Sequence, residues 1–143
     1  MTQDEKQLLL KDLSARLPYD VKIHYHWERK ETGQIVDVDR DLDFSDVDSL
    51  KYTLAEPQDN WCIIDWKPYL RPMSSMTEEE KEEYNKTKDK IAVQWDDYGT
   101  PIGYEYTYTI KTFDWLLAHH FDYRGLIEKG IALEAKEEMY KND

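Results

Sequence analysis

VKIHYHWERKETGQIVDVDRDLDF, running from Val21 to Phe44, decides the fold. Val21, Ile23, Tyr25 and Trp27 alternate with Lys22, His24, His26 and Glu28. That period of two belongs to a strand with one face buried. The second half alternates in the same way, with Val36, Val38, Leu42 and Phe44 on one side and Asp37, Asp39, Asp41 and Asp43 on the other. A tight turn at Thr32-Gly33 sets Trp27 opposite Val38, Ile23 opposite Leu42, His26 opposite Asp39 and His24 opposite Asp41. A slip of one residue would put Trp27 against Asp37 or Asp39, so the pattern itself argues for this register.

Upstream, Thr2 and Glu5 have the spacing of a capping box, which predicts a helix from about Gln3 to Leu17, closed by Pro18. Leu9, Leu10, Leu13 and Leu17 form its apolar stripe, and Lys6, Asp12 and Arg16 lie off it. Downstream, Ser45 is the expected cap of a short helix through Ala55, with Val47, Leu50 and Leu54 on one face and Pro57 at its end. WCIIDW, Trp61 to Trp66, reads as a buried strand, and KPYLRPMSS after it as an extended loop.

Thr77 and Glu80 repeat the capping-box spacing and open a long, largely solvated helix whose apolar content is little more than Tyr84. IAVQW and YEYTYTI flank DDYGTPIG as a second hairpin, with Tyr104, Tyr106, Tyr108 and Ile110 on one face. Thr112 is the expected cap of a last helix presenting Phe113, Leu116, Leu117, His120 and Phe121, and the chain closes in a short helix or frayed tail. The order predicts a single α+β domain over residues 1–143: an antiparallel sheet built from two hairpins plus a central strand, with helices packed on one face.

A chain of 143 residues suffices for one domain and is too short for two ordinary ones. Its 31 acidic against 19 basic residues give a net charge of −12, which repels nucleic-acid backbones and anionic lipid and favours basic protein partners. Neither a secretion signal nor a membrane span is visible, which points to the cytoplasm. The single Cys62, between Trp61 and Ile63, reads as a buried reduced thiol.

His24 and His26 across from Asp39 and Asp41 are the candidate metal ligands, since two imidazoles and two carboxylates can hold a divalent ion in a binding module or a metal-dependent hydrolase. A solvated strand face with cross-strand charge pairs gives the same pattern with no ligand. Asp37, Asp39, Asp41 and Asp48 touch the spacing of a calcium loop, but Leu42 stands where that loop needs glycine. His119, His120 and Asp122 close the last helix with adjacent positions pointing apart. No phosphate-binding loop, nucleophile elbow or zinc-protease helix occurs, so catalysis has no positive support, no catalytic residue is assigned and no cofactor is implied.

Five Trp and eleven Tyr exceed what one small core readily encloses. Trp66, Tyr69, Arg71 and Met73, gathered at a proline-bearing loop, are therefore the candidate partner-binding residues, although aromatics packed beneath that loop would look the same. A further reading has the acidic rows Asp37 to Asp48 and Glu78 to Glu83 standing in for phosphates, as in a nucleic-acid mimic that inhibits a DNA- or RNA-binding protein.

Leu8 to Ile23 (LLLKDLSARLPYDVKI), Lys67 to Tyr84 (KPYLRPMSSMTEEEKEEY) and Phe113 to Ala135 (FDWLLAHHFDYRGLIEKGIALEA) resemble small proteins of no assigned activity encoded by phages, prophages and other mobile elements of Bacteroides-type gut bacteria. The resemblance implies a cytoplasmic, mobile-element setting and an accessory factor that binds a host or phage protein.

Overall fold

Helix α1 (Gln3–Arg16) starts where the spacing predicts: the Glu5 amide donates to Thr2 Oγ1 at 3.1 Å and the Thr2 amide to Glu5 Oε1 at 3.0 Å. A 3₁₀ turn at Leu17–Tyr19 ends it at Pro18. This computed structural model describes residues 2–55 and 62–140, the side chains of 52–55 and 62–66 excepted. Pro57, Trp61 and the side chains of Leu54, Cys62 and Trp66 thus lie outside the described residues.

Strands β1 (Lys22–Arg29) and β2 (Ile35–Asp41) form the first hairpin, with His24 opposite Asp39, His26 opposite Asp37 and Trp27 opposite Val36. This register lies two residues from the expected one. Parity is kept, so each side chain stays on its predicted face. The cause is the turn: a two-residue loop of the favoured kind needs positive φ at both central positions, which β-branched Thr32 resists. The chain instead takes a longer loop, closed by Arg29 and Gln34 at 2.9 Å, with Gly33 alone left-handed at φ 69°.

Helix α2 (Phe44–Ala55) is capped by Asp43 rather than Ser45, through reciprocal bonds between each backbone amide and the other's carboxylate at Asp43 and Asp46. Asp46 is buried and meets Arg40, whose guanidinium lies 4.8 Å from the centre of the Tyr25 ring. Arg40 thereby occupies the apolar face between Val38 and Leu42 without an unpaired charge.

Strand β3 (Cys62–Leu70) runs antiparallel to β1, with Tyr25 opposite Trp66 and Ile23 opposite Pro68. It continues through four residues expected in the loop. Helix α3 (Glu78–Lys86) carries the predicted Thr77–Glu80 capping box but ends sooner, because Asp89 and Lys90 already belong to strand β4 (Asp89–Trp95). Strand β5 (Pro101–Thr107) completes the second hairpin, and helix α4 (Ile110–Ala118) follows. A short strand β6 (Leu133–Glu134) pairs parallel to β3 at Tyr69 and Leu70.

The fold is α+β, with a largely antiparallel sheet in the order β2-β1-β3-β6 and a separate two-stranded sheet, β4-β5. Both expected hairpins are present, divided between two sheets instead of merged into one. Leu9 and Leu13 of α1 and Val47 and Leu50 of α2 pack with Val21, Ile23, Leu70 and Leu126 in the main core. A second cluster joins Met76, Tyr84, Leu116 and Phe121. Among the described residues no helix is long and apolar enough to cross a membrane.

Asp12 and Arg16, which lie off the apolar stripe, are both fully buried. The Arg16 Nε–Asp12 Oδ2 distance is 2.6 Å, Arg16 Nη2 donates to the Phe121 carbonyl at 2.8 Å, and Arg124 Nε lies 3.2 Å from Asp12 Oδ1. Helix α1 is thus covered on two sides, by the main core and by the chain after α4. Removing one member strands the other charge in the interior. Asp12→Ala is expected to lower stability by about 3–5 kcal/mol, whereas the paired change Asp12→Leu with Arg16→Met stays within about 2 kcal/mol of the parent. Urea unfolding of the three proteins measures both differences.

Candidate functional site

The polar face of the main sheet gathers around Asp39. His24 lies between two carboxylates, with Nε2 2.6 Å from Asp37 Oδ1 and Nδ1 2.7 Å from Asp39 Oδ1. Tyr69 donates its hydroxyl proton to Asp39 Oδ1 at 2.8 Å, and Lys136 Nζ donates to Oδ2 at 2.7 Å. Alternation along β1 and β2 puts His24 and Asp39 on one face, the pairing of β3 brings Tyr69 beside them, and the turn after β6 supplies Lys136.

Three donors hold the Asp39 carboxyl well below the usual carboxylate range, the bond from Lys136 being the largest cause. The hydrogen bond to Asp39 raises the His24 pKa against a smaller opposing effect of burial. Burial and the neighbouring carboxylate push the Tyr69 hydroxyl up. His24, Asp39, Tyr69 and Lys136 are thus committed to one another by hydrogen bonds.

Of the four candidate metal ligands, the fold brings only His24 and Asp39 into direct contact. Asp41 pairs with Lys22 at 2.8 Å, and His26 lies 3.5 Å from Asp37. Ligation by His24 would require loss of a proton that it shares with a carboxylate. Among the described residues, no group of three or more His, Cys, Asp or Glu is arranged to hold a metal ion. Asp37, Asp39 and Asp41 stand on a strand, which cannot wrap their oxygens around calcium as a loop does.

The candidate partner loop turns inward. Tyr69 is 5% exposed, Arg71 makes a bidentate pair with Glu80 at 2.7 and 2.8 Å and covers the Phe121 ring at 4.2 Å, and Met73 packs against the second cluster. Tyr140 is also docked: it accepts from the Lys22 amide at 2.8 Å and donates to the Tyr69 carbonyl at 2.7 Å. His120, beyond the end of α4 and left-handed at φ 64°, stacks on Tyr140 with ring centres 3.7 Å apart. Burial pushes its pKa down to about 4, so it is neutral. His119 instead stacks on Trp115.

The open apolar surface lies elsewhere. Ile91, Val93, Trp95, Ile102, Tyr104, Tyr106 and Tyr108 are 45–61% exposed, and Tyr98 at the tip is 93% exposed. Both faces of β4-β5 contribute, and among the described residues no further strand pairs with either edge. Gly103 has a steric cause, since a Cβ there would stand 2.7 Å from Gln94 Cβ.

Threonines hold the base of this hairpin. Thr109 Oγ1 donates to the Thr87 carbonyl at 2.7 Å, Thr112 Oγ1 donates to the same oxygen at 3.1 Å, and Thr109, not Thr112, is the N-cap of α4. From the base an aromatic row runs Tyr84–Tyr108–Phe113–Tyr123, with ring centres 5.4–6.5 Å apart. Aromatic excess in the sequence signalled this surface. Its position did not show, because IAVQW and YEYTYTI read equally well as strands of a buried sheet.

Comparison of the chain with known protein families, with curated proteins and with solved structures found no match.

The Asp39 cluster sets a pH dependence. His24 is more readily protonated in the folded chain, so its contribution is full below its ordinary value of 6.5 and is lost as pH rises through the raised folded value. Asp39 acts oppositely: its contribution is full above 3.8 and is lost as pH falls through its depressed folded value. The cluster stabilises most between these limits. His24→Gln is expected to remove a decline of at most about 1 kcal/mol on the alkaline side, small because both partners are solvated. Urea midpoints from about pH 5 to 9 read it; an unchanged alkaline slope would place the titration elsewhere.

Proposed function

We propose that this chain is a protein-binding module without catalysis, and that its docking element is the β4-β5 hairpin. One observation carries the reading: a hairpin with aliphatic and aromatic side chains exposed on both faces and both edges unpaired among the described residues. Two strands alone are marginal in water, so their exposed apolar surface has a use in association. The reading keeps the protein–protein contact expected from the sequence and moves it from the Trp66–Met73 loop, where Tyr69 and Arg71 serve the interior. A cytoplasmic, mobile-element accessory factor acting on a host or phage protein is the setting we propose for it.

The nucleic-acid mimic is less well supported. Asp37 and Asp39 face His24 and Lys136, Asp41 faces Lys22, Asp46 faces Arg40 and Glu80 faces Arg71. Rows neutralised at so many members do not present the unbroken charge of a phosphate backbone.

The test is a triple variant, Ile91→Thr, Trp95→Thr and Ile102→Thr, which keeps strand-compatible residues and removes the apolar anchors. Affinity for a partner recovered from host cells is expected to fall about thirtyfold or more, with the urea midpoint of the main domain unchanged. Full affinity in a folded variant would sink the assignment.

A further inference from the structure

We infer that the docking of Tyr140 is a proton-operated latch: protonation of the His120 ring stacked on it frees the Tyr140 end of the segment that follows β6. That segment, residues 135–140, is pinned at three places. The Ala135 amide donates to the Leu70 carbonyl at 2.7 Å, Lys136 Nζ bonds to Asp39, and the Tyr140 hydroxyl holds the Lys22 amide and the Tyr69 carbonyl. Of the three, the last rests on a histidine, the two ring centres being 3.7 Å apart at an interplanar angle of 19°.

The surroundings of His120 suit the neutral ring. Its Nδ1 is shielded from solvent and has no hydrogen-bond partner. In the imidazolium both ring nitrogens donate, so the Nδ1 proton would be buried without an acceptor. The charged groups that press on it are cations. Arg16 of α1 donates to the Phe121 carbonyl at 2.8 Å, and Arg71, just beyond β3, donates to the His119 carbonyl at 3.4 Å. A guanidinium is thereby fixed to the residue on either side. Lys22 of β1 and His119 at the end of α4 add to the repulsion, and burial keeps the Tyr140 phenol neutral.

Burial and these cations push the His120 pKa from an ordinary 6.5 down to about 4. The docked arrangement is therefore fully stabilised above 6.5 and loses that stabilisation as pH falls toward 4. The difference sets a ceiling of about 300-fold on the gain of released over docked forms. Lys136 keeps its anchor over this range, because Asp39 is held well below the usual carboxylate range and stays ionised. Acid thus loosens the Tyr140 end while the segment stays tethered at Asp39. A cavity of about 440 Å³, lined in part by Arg71, His119, Lys136 and Tyr140, gives water a way to the latch.

The experiment follows amide hydrogen exchange of the full chain by NMR from about pH 7 to 4.5, together with the titration of the His120 ring. The Lys22 amide, bonded to the Tyr140 hydroxyl, is expected to lose protection about tenfold or more, while Leu9 and Leu13 of the main core keep theirs. His120→Phe keeps a ring against Tyr140 and cannot be protonated, so Lys22 protection should stay flat across the range. By reciprocity, Tyr140→Ala should raise the His120 midpoint by about one pH unit or more. Unchanged Lys22 protection in the parent chain, a His120 midpoint near 6.5, an equal loss in His120→Phe, or a loss shared by Leu9 and Leu13 would each overturn the inference. Phenylalanine is strained at a left-handed position; where that variant does not fold, the Tyr140→Ala titration decides, and an unmoved midpoint sinks the latch.

Discussion

Arg16 has no contact with solvent, so its charge must be met inside the protein. Asp12, one turn earlier on the same helix, meets it from below, and the Phe121 carbonyl meets it from the far side. That second bond fixes the chain just beyond α4 against α1, and the local geometry follows from it. The Arg71 amide donates to the His120 carbonyl and the Asp122 amide to the Arg71 carbonyl, both at 2.8 Å. The Asp122 carboxylate then accepts from the amides of Leu126 and Ile127 at 2.8 and 2.9 Å, which turns the chain back so that Leu126 enters the main core. A buried ion pair of this kind is a weak source of net stability and a strong determinant of arrangement in this fold, since few placements of α4 satisfy it.

With α4 placed, the second cluster assembles around Phe121 and Leu116, and α3 is held through Tyr84 and the Arg71–Glu80 pair. The C-terminus of α3 and the N-terminus of α4 then stand within hydrogen-bond reach at Thr87, Thr109 and Thr112. Everything between those threonines leaves as a hairpin and returns. Among the described residues it pairs with no strand of the main sheet, whose order is β2-β1-β3-β6.

Local signals were legible where one principle acted alone. The capping boxes at Thr2 and Thr77 and the alternation of Val21 to Trp27 each reported a nearest-neighbour constraint, and each is present. Competing local donors were harder: Asp43 displaced Ser45 as a cap because Asp46 could return its bond, and Thr109 displaced Thr112 for the same reciprocal reason. Burial of Asp12 and Arg16 could not be read from helical periodicity, which assumes one buried face. The His24–Asp39 contact was half legible: alternation put both on one face, but the register came from the turn, and Lys136 and Tyr69 arrived through tertiary pairing.

The division of charge gives the hairpin its character. Over the main sheet, carboxylates are neutralised by His24, Lys22, Arg40 and Lys136, so the surface there is polar, bonded and complete. On the hairpin the balance reverses, with apolar side chains exposed on both faces, Lys90 beside the tyrosines and Asp89 and Glu105 on the opposite face. A free hydrophobic hairpin invites pairing with its own kind, and three features oppose that here. Its pairing slips at Val93 and again at Ile102, which disturbs the ladder along both strands. Asp96 folds the tip around its own carboxylate, accepting from the amides of Tyr98 and Thr100 at 2.9 Å each. Each copy also brings a charge of −12 to any encounter. The irregular edge slows indiscriminate strand addition, and the charge turns away an acidic partner while leaving a basic one unhindered. An apolar surface protected in this way is selective by repulsion as well as by attraction.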